Sequence, residues 1–278
     1  MRSSIVSIVL VFAALGLLLG YSESFDVQRS GAQDIQIAVA NVEDRIGRLV
    51  RVMETTGDLP QVRGTEYIDL INVSQMGIPE GDDVEKRQVA REILSDHAEI
   101  ASIFFLTPDG DIYIGEPYEQ QEQLPRLNYA DRDWYKGVRA TGDAYVSSVF
   151  ISAAIHMPAI AIAVPVYTES GSQIAGYWVA IVGVSGIDSS LKGHGDSESR
   201  ILLVDHNGTQ VVDTGVPMNE STELRSFVSL QSVENALAGQ SGTTIEQVDG
   251  QNMAATYAPV RAHPHTWGIV FLRPAPVG

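Results

Sequence analysis

Between Phe104 and Val179 the chain sets out a pattern that it repeats between Leu202 and Val270. Phe104-Phe105-Leu106-Thr107-Pro108-Asp109-Gly110, followed by Asp111 to Ile114, is echoed by Leu202-Leu203-Val204-Asp205-His206-Asn207-Gly208, followed by Gln210 to Asp213. Val164-Pro165-Val166, followed by Tyr177-Trp178-Val179, is echoed by Ala258-Pro259-Val260, followed by Trp267-Gly268-Ile269-Val270. Apolar runs of this length, punctuated by Asp-Gly and Asn-Gly turns, are antiparallel strands. One supersecondary unit written twice, the second time shorter, makes a duplicated α+β sheet lobe. Lys192 to Ser199, K-G-H-G-D-S-E-S, is the linker between the copies.

What precedes the first copy is helical. No proline occurs before Pro60, and Ile35, Ile37, Val39, Val42, Ile46, Leu49, Val50 and Met53 recur mostly at three- and four-residue spacing. That spacing predicts a long amphipathic helix ending near Thr56-Gly57. A helix with one apolar stripe either packs along a domain or pairs with a copy of itself. Asp82 and Asp83 open a second helix, about Val84 to Ser95, with acids where the helix dipole favours them. Before the long helix, Arg2 precedes an uncharged run from Ile5 to Gly20. As a helix this run is about 24 Å long against roughly 30 Å of hydrocarbon. It fits a signal-anchor or a signal-peptide core. No good small-residue cleavage site follows, which favours the anchor, with the bulk of the chain outside the membrane.

Composition narrows the function. The 278 residues are 44% apolar with a formal charge of −17 and no cysteine. Phosphate binding needs concentrated Lys and Arg, so nucleic acid is not expected as a partner. Thiol catalysis, disulfides and Cys-ligated metal are excluded. His263 and His265 flank Pro264 without a third ligand nearby, so no metal is expected. Gly183-Val184-Ser185-Gly186 lacks the spacing of a nucleophile elbow. Glu116, Glu119 and Glu122 read as a solvated connection, and Asp109, Asp111 and Asp205 as turn residues. No enzyme and no cofactor are expected.

The chemistry gathers between Leu127 and Pro165. Tyr129, Arg132, Trp134 and Tyr135 lie just before the core strands, on and ahead of a short helix at about Asp131 to Ala140. A strand is predicted at Tyr145 to Ile151, and strands follow at Ala159 to Tyr167 and Gly176 to Val184. Arg grips a carboxylate bidentately, while Trp and Tyr wall off an organic ligand and offer N–H and O–H donors. Aromatic residues beside a sheet are equally at home as packing.

With stalk helix, two lobes and N-Y-A-D-R-D-W-Y assembled, the chain resembles the double Cache family of extracellular sensors, from about Phe25 to Arg273. R-D-W-Y-K-G, T-G-D-A-Y-V-S, A-I-A-V-P-V-Y and the Gly176 hairpin follow in order. The resemblance implies a signal-anchor or signal peptide at 1–20 and a stalk helix at 21–57. It implies a membrane-distal lobe at 58–191 that holds the ligand, a linker at 192–199 and a membrane-proximal lobe at 200–278. Both lobes would be PAS-like, each a curved antiparallel sheet with flanking helices. It implies an extracytoplasmic small-molecule sensing domain of a membrane-anchored, chemotaxis-type receptor. The alternative is a stand-alone anchored or secreted solute-binding protein. Pairing as a homodimer through the stalk, or with a signalling partner, is open.

A large subset of that family binds amino acids through a Tyr, an Arg-x-Trp-Tyr group, a Tyr-x-Asp and an Asp on the last hairpin strand. Arg132, Trp134, Tyr135 and Tyr145 match this pattern. The leading Tyr falls on Leu127, with Tyr129 close by. Tyr-x-Asp becomes Tyr145-Val146-Ser147, and the final acid becomes Ile181. The carboxylate half of that site is present and the ammonium half largely missing. Because a buried ammonium without an acid is costly, the expected ligand is a small carboxylate without an α-amino group, or another small anion or neutral organic, rather than an α-amino acid. Ser147 and His156 are expected as further polar contacts, though His156, before Met157-Pro158, is also explained as the end of a loop.

Overall fold

The computed structural model describes residues 33–191, 194, 199–216 and 223–275. The expected membrane segment at 1–20, the start of the stalk and most of the linker lie outside the described residues. Among the described residues no helix is long and apolar enough to cross a membrane.

Helix α1 runs over 33–57. Its stripe, Ile35, Ala38, Val42, Ile46, Leu49 and Met53, is buried to 3% exposure or less, while the opposite face is exposed and mostly polar. The stripe packs on strands of both lobes in one continuous core with Val164, Trp178, Val260 and Trp267. Over 33–57, then, the helix packs along its own chain. Trp178 Nε1 donates to Thr56 Oγ1 at 3.1 Å, fixing the helix end to the first sheet. Glu43 holds Arg261 of the second lobe at 2.9 Å.

After the short helix α2 (Pro60–Arg63), α3 spans Val84–Asp96. Asp83 caps α3 as predicted, its Oδ1 accepting the Lys86 N–H at 3.2 Å. The first sheet holds β1 (Ile100–Leu106), β2 (Ile112–Glu116), β3 (Tyr145–Val146), β4 (Phe150–Ile151), β5 (Pro158–Tyr167) and β6 (Ile174–Gly183). Its order is β2-β1-β6-β5-β3, with β4 also on β5. Between its strands lie α4 (Tyr118–Glu122) and α5 (Asp133–Thr141), and α6 (Val184–Leu191) leaves it. The second sheet holds β7 (Arg200–Val204), β8 (Gln210–Asp213), β9 (Gly242–Val248), β10 (Gln251–Ala262) and β11 (His265–Pro274), with α7 (Gln231–Leu237) before β9. Its order, β8-β7-β11-β10-β9, repeats that of the first. The fold is α+β, with two antiparallel sheets on one N-terminal helix.

Three expectations need correction. The strand expected at Tyr145 to Ile151 is two short pieces. Ser148 turns its N–H and hydroxyl to the Asp133 carboxylate at 3.0 and 2.8 Å, and Val149 gives its N–H to Asp205 at 2.9 Å. Those two carboxylates take the donors that a continuous strand would use. Glu116 is not solvated. It is 3% exposed and bonded by Arg87 at 2.9 Å and Arg91 at 3.1 Å, and the fully buried Arg87 also reaches the carbonyls of Ile78, Pro79 and Gly115. Asp205 is more than a turn residue. Besides the Asn207 and Thr209 N–H groups of its own turn, it binds Val149 of the other lobe.

Candidate functional site

On the face of the first sheet turned away from α1, side chains enclose a cavity of about 30 Å³. The floor is the sheet: Phe104 and Leu106 from β1, Ile112 from β2, Ile181 from β6. One wall is Tyr129, Arg132 and Trp134, ahead of and on α5. The other is Phe150 of β4 and the strap between β4 and β5, with Ser152, Ala153 and Ala154. Such a space is near the size of one water, so a larger guest would need the lining to move.

The backbone places the motif side chains on that wall. Tyr129 is tied to the β1–β2 turn by its N–H to the Gly110 carbonyl at 2.8 Å. Arg132, the residue preceding α5, donates its N–H to the Tyr129 carbonyl at 3.1 Å. Its extended backbone (φ −68°, ψ 148°) leads into the helix that starts at Asp133. The guanidinium lies 5.8 Å from the Tyr129 ring centre and 5.6 Å from that of Phe150, within reach of a cation–π attraction. Among the described residues it has no carboxylate at ion-pair distance, and it is the sole charged side chain of the lining. Tyr129 is 6% exposed, and among the described residues its hydroxyl has no partner at hydrogen-bond geometry, with the Arg126 guanidinium 4.8 Å from its ring centre; burial pushes its pKa up and the charge of Arg126 partly offsets this. Trp134, 4% exposed, meets Tyr135 edge-on at 6.5 Å. The arrangement offers a cation and an uncommitted hydroxyl in an apolar enclosure without an acid.

Four other expected contacts point elsewhere. Tyr135 donates its hydroxyl to the Pro108 carbonyl at 2.6 Å and packs edge-on against Tyr177. The Tyr145 hydroxyl meets His265 Nε2 at 2.9 Å, across the boundary between the lobes. Ser147 Oγ donates to the Ser148 carbonyl at 2.6 Å and accepts from the Ala161 N–H at 2.8 Å, so it is spent on the sheet. His156 is exposed, with φ +54°, on the turn before β5. Ile181, read as the place of a missing acid, lies in the cavity floor. The strap residues and Asp133 were not anticipated. The small-residue run Ser152-Ala153-Ala154 between two strands was the available signal for the strap.

The boundary between lobes carries a second cluster. His206 and His265 stack at 3.9 Å, and His265 meets the Tyr145 ring edge-on at 5.0 Å. Burial and then the neighbouring His206 push the His265 pKa down.

A family described as the Cache domain matches residues 26–275. No curated protein sequence matches. Among solved structures, the ligand-binding domain of the Pseudomonas aeruginosa PAO1 amino acid chemoreceptor PctB, in complex with L-Gln, aligns with a TM-score of 0.63 at 15% identity, over 87% of this chain and 89% of that one. The ligand-binding domain of the Pseudomonas fluorescens chemoreceptor CtaA with L-isoleucine aligns at 0.58 and 13% identity, over 86% and 88%. A methyl-accepting chemotaxis protein X aligns at 0.66 and 12% identity, over 92% and 100%.

Proposed function

Since the chain belongs to the Cache domain family, we propose that it is the sensing part of a membrane-anchored, chemotaxis-type receptor, acting outside the membrane. The first lobe is the ligand lobe and lies farther from the membrane. Occupancy of its cavity is passed along α1 to the output. The reading is of binding, with no catalytic step.

The ligand is a small carboxylate with an apolar body and no α-amino group. One observation carries this: Arg132 is the sole charged side chain lining a cavity whose floor has the apolar Ile181, the position at which the resemblance to the amino-acid-binding subset implies an acid. An ammonium there would be desolvated without a counter-charge, which costs several kcal/mol by rough estimate. The similar chemoreceptor domains were solved with L-Gln, L-Arg and L-isoleucine, so amino acids are the competing class. A thermal-shift series pairing each amino acid with its des-amino acid decides between them. Ligand at 100 times its dissociation constant adds about 2.7 kcal/mol to stability. The des-amino acids are expected to shift the melting temperature and their α-amino partners not to. Arg132→Ala should weaken the hit by about 2–5 kcal/mol. A stronger response to the amino acids, or an Arg132→Ala protein that binds as before, would overturn the assignment.

A further inference from the structure

The two lobes can be superposed residue by residue through their hydrogen bonds. Leu106 pairs with Ile112 after a bulge, and Val204 pairs with Gln210 after the same bulge. Ile112 and Gln210 give their N–H groups to Leu127 and Arg225. Tyr129 and Phe227 donate to Gly110 and Gly208, and Arg132 and Leu230 donate to Tyr129 and Phe227. Counting on along the following helices, Trp134 falls on Ser232. On the other side, Phe150 pairs with Ala159, which pairs with Gly183; Glu246 pairs with Met253, which pairs with Pro274. Phe150 therefore falls on Glu246.

Three apolar cavity residues of the first lobe, Ile112, Trp134 and Phe150, are thus replaced in the second by Gln210, Ser232 and Glu246. The first lobe's polar residues invert as well, Arg132 to Leu230 and Tyr129 to Phe227. Gln210 is 1% exposed and Ser232 is fully buried. Among the described residues, both amide atoms of Gln210, the hydroxyl of Ser232 and Oε1 of Glu246 are buried without a hydrogen-bond partner. Glu246 Oε2 is engaged, accepting the Gln231 N–H at 2.7 Å and the Ser232 N–H at 3.4 Å. Native structures leave few buried polar groups unpaired, and here they sit on three separate elements. All three occupy positions whose counterparts wall one cavity.

We propose that the second lobe holds a binding site of its own, of opposite polarity to the first, for a small primary amine. A protonated amine has three N–H donors and no acceptor. Glu246 Oε1, Gln210 Oε1 and Ser232 Oγ supply three acceptors and a negative charge, and Leu230 and Phe227, packed in the apolar cluster of this lobe, are the surfaces that an apolar remainder would meet. An anion is disfavoured because Leu230 stands where Arg132 does, and the two arginines over the Phe227 ring, Arg200 and Arg225, are already paired with Asp213 and Asp249.

The test is ligand-observed NMR on the full chain, with methylamine and ethanolamine as probes and propionate as competitor. Both amines are expected to give saturation transfer that excess propionate does not displace. Glu246→Gln keeps the shape and an oxygen for the Gln231 N–H, and should weaken the amine signal at least tenfold. Gln210→Leu, which restores the aliphatic character of the first lobe, should weaken it as well. No transfer from either amine at millimolar concentration would overturn the site. So would a signal that persists in Glu246→Gln, or a crystal structure in amine with only water on these groups. Because propionate addresses the first lobe, failure of the carboxylate reading leaves this result legible.

Discussion

The two lobes have the same strand order, the same bulge ahead of the second strand and the same turn-to-helix hydrogen bonds, yet opposite chemistry at matching positions. Backbone N–H and C=O groups are satisfied in the same way whether the side chain above them is Arg132 or Leu230, Phe150 or Glu246. The frame therefore places almost no demand on the polarity of the cavity face, and that face is free to diverge. The opposite face has no such freedom, because on both sheets it is filled by the α1 stripe.

The largest contrast should come from the sheet edges. In the first lobe Arg87 and Glu116 are 0% and 3% exposed. Glu116→Ala leaves Arg87 facing only neutral oxygens and should cost about 3–5 kcal/mol, the loss expected when one member of a buried pair is removed. In the second lobe Arg200 bonds Asp213 at 2.7 Å, is 19% exposed and keeps Asp249 at 2.7 Å as a second partner. Asp213→Ala should cost less. Urea unfolding of both variants at neutral pH checks the order, and equal or reversed losses would show that the first-lobe pair is not the more desolvated one.

A smaller contrast lies where each helix meets its sheet. Gly137 lies under the Tyr145 ring so closely that a Cβ would sit 2.2 Å from it. Its counterpart, Asn235, donates to the Tyr257 hydroxyl at 2.9 Å. Gly137→Ala should cost about 1–3 kcal/mol by overpacking. Asn235→Ala should lose about 1 kcal/mol, as for one hydrogen bond. Melting temperatures of the two variants separate crowding from a lost bond. An undisturbed Gly137→Ala would mean that Tyr145 swings freely, releasing its contact with His265.

What the sequence made legible was local. The α1 stripe, both hairpins and the echo between lobes are periodic patterns contained in one stretch each. Tyr129, Arg132 and Trp134 were legible together because six residues of one segment hold them all. What escaped was set by partners far along the chain. The break after Val146 depends on Asp133 and on Asp205, 56 residues beyond Val149. Glu116 looked solvated because Arg87, 29 residues earlier, does not announce itself as buried. Tyr145 and Ser147 fit a motif by spacing, yet one is spent on His265 and the other on the sheet. Gln210, Ser232 and Glu246 are unremarkable singly and gain meaning only in register with Ile112, Trp134 and Phe150.

The smallest expected effect concerns protons at the boundary between the lobes. His265 faces His206 on the β7–β8 turn and Tyr145 on β3, with the charges of Asp133 and Asp205 partly offsetting its burial. Around the adjoining cleft stand Glu43, Arg51 and Glu54 of α1, with Arg261 and His263 of the hairpin. The net pKa lies below the ordinary 6.5. A base whose pKa is lowered by folding binds fewer protons folded than unfolded. Its neutral form therefore favours the folded state above pH 6.5, and that contribution fades as pH falls through 6.5 toward the lowered value. Urea midpoints measured from pH 7.5 down to 5.5 should fall in the native protein more steeply than in His265→Gln, which has no imidazole to titrate. Because the pair joins β3 of the first lobe to the turn of the second, loosening it should also release the strap, which Val149 ties to Asp205. Faster amide exchange at Ser148 and Val149 at pH 5.5, absent in His265→Gln, would mark that coupling; identical pH profiles for the two proteins would remove the histidine from the latch.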